Sequence, residues 1–502
     1  MPATTYSILR SAYSRVFLIE GRARFDHTPS YEACLRMTGV TRNFGDITKI
    51  ECPDPSNYGK FLEVATIRGA SERATTSLEG RFALELKSTL LHLASKGCAI
   101  DVQVHLGECT DPSDFDNFKK AVVFENVLPT SFSTGELGAL SSDQNAAVDE
   151  TLEISAENMY ELLPLSFVAH AGSIVVNEVV DVHICDSMSC GDCESESDGC
   201  QKIYAITNAA LGSPTGQPDI VFTLNQGVSW YSHDIDSLTA STEPPTALAC
   251  LGDYMVIVSN AAGSLHYTLL STLNSYTDPT FTEVATGFVA GGAPNDIDVN
   301  SRYAFIVGNG GYVYGTDDPT AGVTVLSAAS AVSDPLLRVH ALSRDFAVAC
   351  GGTGAVIYTE NGATWTAVTT RPVGAGVNLT ALWVKAETEW WVGSSSGRVF
   401  VTLDKGVTWT EVTFTGSGAG RVDDIVFATD SEAFIAHTTA TPRGRILRSY
   451  NAGKTWNVMP ETGTLPLEDR VNRLAVCDDP NLIVAVGLAD DNADGFILIG
   501  SA

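Results

Sequence analysis

Four cysteines fall within sixteen residues, Cys185, Cys190, Cys193 and Cys200, in the run CDSMSCGDCESESDGC. Cys190-Gly-Asp-Cys193 has the spacing that lets two thiolates share one tetrahedral metal, so four ligands in one loop suit a structural Zn²⁺, and the acidic neighbours favour a cation. The same thiols can instead close two disulfides in any of three pairings, and the sequence does not choose between bridges and zinc. Both outcomes make the cluster a staple at a domain junction and not a redox centre. Four free thiols in a solvated loop would be an oxidation liability. Eleven cysteines in 502 residues are too sparse for a disulfide-stapled fold, so most of them read as small core residues.

The second group with chemical potential is a set of arginines, Arg302, Arg338, Arg344, Arg371 and Arg398, together with the tandem pair Trp390-Trp391. Clustered arginines bind carboxylates, and paired indoles stack on sugars. Scattered arginines in an acidic chain read more simply as surface partners of Asp and Glu. Tandem aromatics on a strand read as one core and one rim residue. No nucleophile–base arrangement accompanies them, so catalysis is not expected.

The residues that recur at regular spacing do so for structure. Four segments share one pattern: Asn225-Gln-Gly227-Val-Ser-Trp230, Asn361-Gly362-Ala-Thr-Trp365, Asp404-Lys-Gly406-Val-Thr-Trp409 and Asn451-Ala-Gly453-Lys-Thr-Trp456. Each follows one short apolar strand and precedes another. Asn or Asp holds such a turn through its side chain, Gly supplies the positive φ, and the Trp buries its ring while its N–H seeks a partner. Degenerate copies between Tyr267 and Phe281, and around Asp317-Asp318-Pro319, complete steps of roughly 40–50 residues, the length of one β-propeller blade. Small-residue runs such as YMVIVSNAAG and FAVACGGTG are expected nearest a crowded central axis. Counting gives seven blades, the last lacking its outer strand, with six as the competing count.

The segments YTENGATW, TLDKGVTW and SYNAGKTW resemble the Asp-box repeat of sortilin- and sialidase-type propellers. The resemblance covers about 300 residues and implies fold more than function, because the box is a structural turn. Sialidases also need an Arg-Ile-Pro signature before the first box, and none of the five arginines lies in one.

Net charge is −30, from 60 acidic and 30 basic residues. Residues 121–200 hold 15 acidic side chains and no Lys or Arg. Such a chain is unsuited to clamping nucleic acid or anionic membrane, which takes clustered basic residues. The N-terminal MPATTYSILRSAYSRVFLIEG lacks the apolar core of a signal peptide, and no window reaches the ~18 apolar residues of a membrane span. A soluble protein that does not use ordinary export is expected.

Residues 1–184 read as strands with one helix. Leu78, Phe82, Leu86, Leu90 and Leu93 form one apolar stripe, Thr76-x-x-Glu79 is a capping box, and Gly97 closes the helix. Strand-like runs surround it, and Leu128–Asn145 reads as flexible loop.

The stretch FGDITKIECPDPSNYGKFLEVATIRGASERATTSLEGRF, with the helix and KGCAIDVQVHLGECTDPSDF after it, resembles major tail (tail tube) proteins of long-tailed bacteriophages. The resemblance covers about 180 residues. It implies a β-sandwich with a flanking helix, assembling with itself as hexameric rings that stack into a tube. DNA would pass through the lumen without specific binding, and other tail proteins would be partners. The expected chain is therefore mainly β, with a tail-tube-like oligomerising domain at 1–184, a cysteine-rich acidic junction at 185–200 and a β-propeller at 201–502. The expected function is that of a structural virion protein with an outward propeller decoration, assembled in the host cytoplasm. The alternative is a propeller adhesin for a host-surface glycan or protein. Neither reading involves an enzyme or a membrane.

Overall fold

A computed structural model describes the strands between residues 14 and 170 and most of residues 177–501. The chain divides into two compact units, Met1–Pro164 and Leu165–Ala502. No helix among the described residues is long and apolar enough to cross a membrane.

In the first unit one antiparallel sheet runs in the order Ile100–His105, Ser14–Glu20, Tyr31–Met37, Ala74–Gly80, Glu150–Ala156, Ala121–Thr134, Asn158–Leu162. Its first half-register returns on itself, because Ala121–Thr134 also pairs with Ile100–His105. The 14-residue strand makes this closure by pairing Ile100–His105 along its first half and Glu150–Ala156 along its second, while Asn158–Leu162 adds a further strand beside its first half. A separate hairpin joins Ile47–Pro53 to Phe61–Arg68.

Two expectations for this unit change. Thr76, Leu78 and Glu79 do not open a helix; they lie on Ala74–Gly80, paired to Glu150–Ala156, with Leu78 buried. The four-residue spacing of leucines misleads here because Leu78 belongs to a period-two strand that precedes the stripe, and residues 81–99 lie outside the described residues. Leu128–Thr134 is strand rather than loop: its backbone groups are taken up by Glu150–Ser155.

In the second unit, the described residues form seven four-stranded antiparallel sheets. We number them as blades 1–7 from the inner strands Val179–Ile184, Pro245–Leu251, Pro294–Asn300, Leu336–Ala341, Leu379–Val384, Arg421–Phe427 and Arg470–Val476. Each inner strand packs against the next, and Arg470–Val476 packs back against Val179–Ile184, so the ring is closed. That is the architecture of a seven-bladed β-propeller. Separate apolar clusters fill the gaps between successive blades, for example Tyr204, Phe222, Leu248 and Met255 between blades 1 and 2, and Phe305, Leu336, Ile357 and Trp365 between blades 3 and 4. Inter-blade burial, not any single sheet, is thus where the hydrophobic stabilisation resides.

The small-residue runs expected at the axis form the second strand of each blade. The strands before them are innermost. The last blade also does not lack an outer strand. Ser166–His170 pairs with Gly495–Ser501 and completes it. The propeller therefore begins at Leu165 and takes in residues 165–184, which the sequence pattern assigns to the first domain.

The repeated turns join the third and fourth strands of their blades. In blade 5 the Thr402 hydroxyl accepts the Gly406 N–H at 2.9 Å. Asp404 Oδ2 accepts the Thr408 hydroxyl at 2.6 Å and Oδ1 the Thr408 N–H at 2.8 Å, and these two bonds hold its carboxyl below the usual range. Gly227 and Gly453 donate in the same way, at 2.9 Å each, to Thr223 and Ser449. Two successive left-handed residues make the bend: Gln226-Gly227, Lys405-Gly406 and Ala452-Gly453 have φ of 53/84°, 57/79° and 58/80°. Blade 4 is one residue shorter and uses Gly362 alone, at φ 68°. Trp365 and Trp456 are buried and Trp230 and Trp409 half-buried. Trp409 Nε1 donates to Thr370 O at 2.9 Å and Trp456 Nε1 to Gly453 O at 3.0 Å, while the indole N–H groups of Trp230 and Trp365 have no hydrogen-bond partner among the described residues.

A candidate functional site on the propeller axis

Every inner strand carries a β-bulge at the same height. In each, the ladder skips one residue, and the residue after the skip is Asp181, Ala247, Asp296, Arg338, Ala381, Asp424 or Arg473 in blades 1 to 7. An extra residue re-aims the side chains that follow it. Here it sets a ring of three carboxylates, two guanidiniums and two alanines, five of whose members line a cavity of about 130 Å³ on the axis.

The carboxylates stitch one blade to the next. Asp181 Oδ2 accepts the backbone N–H of Leu248 at 2.9 Å, Asp296 Oδ2 that of Val339 at 3.0 Å, and Asp424 Oδ2 that of Leu474 at 2.9 Å. Each acceptor thus serves the same position on the following blade. Arg473 gathers all three: Nε lies 3.1 Å from Asp181 Oδ1, Nη1 3.9 Å from Asp424 Oδ1, and Nη2 pairs with Asp296 Oδ1. Burial alone would discourage the charge, but Asp296, Asp181 and Asp424 together hold the Arg473 pKa above its ordinary value. Burial pushes Asp181 up to about 6, against the pull of Arg473, and raises Asp424 as well.

Arg338 is treated differently. Its Nη1 donates to the neighbouring Leu337 O at 3.0 Å, and its Nε is buried with no hydrogen-bond partner. Burial, then the like charge of Arg473, lowers its pKa.

Two residues further along each inner strand a second level faces the same cavity. Here stand His183, Asp298, His340, Trp383 and Val426. Asp298 Oδ2 accepts the Ala341 N–H at 2.6 Å, and burial pushes this carboxyl up to about 7. Burial moves His340 down to about 4, and its ring lies against Trp383 at 4.4 Å between centroids.

The comparisons with known proteins stand beside this geometry. No family model and no curated protein matches the sequence. Among solved structures, YCF48 bound to a D1 peptide aligns with a TM-score of 0.49 at 14% identity, covering 68% of this chain and 98% of that one. YCF48 from Cyanidioschyzon merolae gives 0.49 and 14%, over 66% and 98%. The WD40 propeller domain of Doa1 gives 0.46 and 10%, over 67% and 97%. The propeller assignment rests on the seven sheets and their closed ring.

Of the five arginines singled out in the sequence, Arg338 alone faces the axis. Arg344 lies 3.9 Å from Asp317, Arg371 3.2 Å from Asp334 and Arg398 3.7 Å from Glu411, all in half-exposed or exposed pairs. Arg302 sits in a turn at φ 58°. Trp390 and Trp391 are both fully buried, so neither is a rim residue; their N–H groups reach Glu387 O and Glu389 Oε1. Gly453 packs so closely on Trp391 that a Cβ there would lie 2.2 Å from the indole.

Cys185, Cys190, Cys193 and Cys200 lie outside the described residues. Cys250 and Cys350 are buried cysteines, and Cys477 is disulfide-bonded. The axial residues Asp181, Asp296, Asp298, Asp424 and Arg473 were missed in the sequence. The available signal is their place: a charged residue at one offset before the second strand in five of the seven repeats, with Ala247 and Ala381 in the other two.

Proposed function

We propose that this protein is a non-catalytic structural protein of a virion, a tail tube subunit that bears a seven-bladed propeller for display or host-surface contact. The observation that carries the reading is the strand pairing of the first unit. A sheet that returns on itself through Ala121–Thr134 is a self-contained module, and it coincides with the stretch that resembles tail tube proteins. Supporting it is the charge distribution within the first unit: residues 121–164 hold eight acidic side chains and no Lys or Arg, as suits the wall of a conduit through which DNA must slide without sticking. In this reading six copies form a ring, the rings stack, and other tail proteins cap the stack. The two-sheet sandwich implied by the resemblance belongs to the same proposal.

The non-catalytic part of the reading is supported by Asp181, Asp296, Asp424 and Arg473, which are engaged with one another and with backbone N–H groups. Negative-stain electron microscopy of the purified full-length protein tests the assembly: rings or tubes are expected. A monomer of 53.2 kDa at every concentration overturns it.

A further inference from the structure

We propose that the axial cavity of the propeller binds a primary ammonium group carried on an alkyl stem. This goes beyond the assembly proposed above and does not depend on it.

Three consecutive blades present complementary groups at one level. Asp298 of blade 3, His340 of blade 4 and Trp383 of blade 5 each stand two residues past the bulge of their inner strand, and all three line the cavity of about 130 Å³. Asp298 is a carboxyl group without a Lys or Arg partner among the described residues; it takes the backbone N–H groups of Ala341 and Val299. His340 Nδ1 is buried and has no hydrogen-bond partner among the described residues. Kept neutral by burial, the imidazole in its Nε2–H tautomer offers that nitrogen as an acceptor. Trp383 supplies a π-face beside it, with the two rings 4.4 Å apart. A carboxylate, a neutral acceptor and an indole are what an ammonium ion with three donors and a short apolar stem requires.

The wider charge balance agrees. Four carboxylates, Asp181, Asp296, Asp298 and Asp424, line the cavity against two guanidiniums, Arg338 and Arg473. Burial holds a proton on Asp298 up to about 7, so an entering cation displaces that proton and pairs with the carboxylate it frees, which an anion cannot do. His183, on the same level in blade 1, is also close enough to Asp298 to affect its charge. Asp298, Arg338, His340, Trp383 and Arg473 are each half-buried rather than fully enclosed, so solvent reaches the site.

The ammonium can belong to a free amine or to a lysine side chain of a partner protein. Calorimetric titration of the full-length protein with n-butylamine, with butyrate and with Nα-acetyl-lysine amide examines both sources. Saturable binding of butylamine and none of butyrate is expected. Tighter binding of the lysine derivative assigns the site to a protein partner, and weaker binding to a free amine. Asp298→Asn keeps an acceptor for the Ala341 N–H and is expected to weaken butylamine binding about tenfold, the loss of one charge-assisted contact. Absence of saturable butylamine binding to the wild-type protein overturns the proposal whatever the variant does. So does butyrate binding of equal strength, or an unchanged affinity in a variant that unfolds at the wild-type temperature.

Discussion

Asp424 of blade 6 accepts the backbone N–H of Leu474 in blade 7 at 2.9 Å, and Leu474 directly follows the arginine that Asp424 also faces. One carboxylate therefore closes a backbone gap between sheets and balances a buried cation. Replacing it removes both functions. Asp424→Ala is expected to cost about 3 kcal/mol, because a buried N–H loses its acceptor. Asp424→Asn should recover roughly half of that, since the amide oxygen can still accept. Urea unfolding of the two variants checks the order.

Arg473 is the shared partner of three carboxylates, whereas Arg371 meets Asp334 at the surface with 41% and 26% of the two side chains exposed. Arg473→Met should destabilise by about 3–5 kcal/mol, leaving buried negative charge uncompensated. Arg371→Met should cost less than about 1 kcal/mol. Equal shifts in thermal midpoint for both would contradict the clamp.

The turn of blade 5 offers a local test. Asp404→Ala should cost about 1 kcal/mol, as a lost cap does. Asp404→Asn should be nearly neutral, because Asn225 makes the equivalent bond to the Ser229 N–H at 2.9 Å in blade 1 and Asn361 accepts Thr364 N–H at 2.8 Å in blade 4. Denaturation at pH 7 compares them. Because the fold lowers the Asp404 pKa, the benefit of its charge is present above the ordinary carboxylate range and is lost as pH falls through the folded value.

Asp298 has the opposite sign. Its carboxyl is raised from 3.8 to about 7, so the folded protein holds the proton more tightly than the unfolded chain. The resulting stability is complete below 3.8 and is lost as pH rises through about 7. Asp298→Asn should therefore gain on the wild type by about 3 kcal/mol between pH 4 and pH 7.5. His340, lowered to about 4, contributes the reverse trend but is common to both proteins. Unfolding midpoints across that range read the difference, and parallel curves would refute it.

The part of this fold legible in sequence is the part held by neighbours in the chain. Thr402, Asp404, Gly406 and Thr408 satisfy one another within seven residues, so their types reveal the turn. Asp296 is different: it meets Val339 and Arg473, 43 and 177 positions away, and nothing adjacent to it announces either contact. The bulge that aims it adds one residue to a strand without a distinctive composition. Trp390 and Trp391 misled for a related reason. In a stacked ring both faces of a second strand are covered by neighbouring blades, so alternation between core and rim does not apply.

The strand Ser166–His170 waits for Gly495–Ser501. During synthesis the ribosome must therefore deliver some 300 further residues before the early segment finds its mate, and until then its edge is available to a neighbouring nascent chain. Completion is an all-or-none event that waits for Gly495–Ser501. A chain halted after blade 6 would hold an unclosed arc whose two exposed flanks invite exchange with another copy.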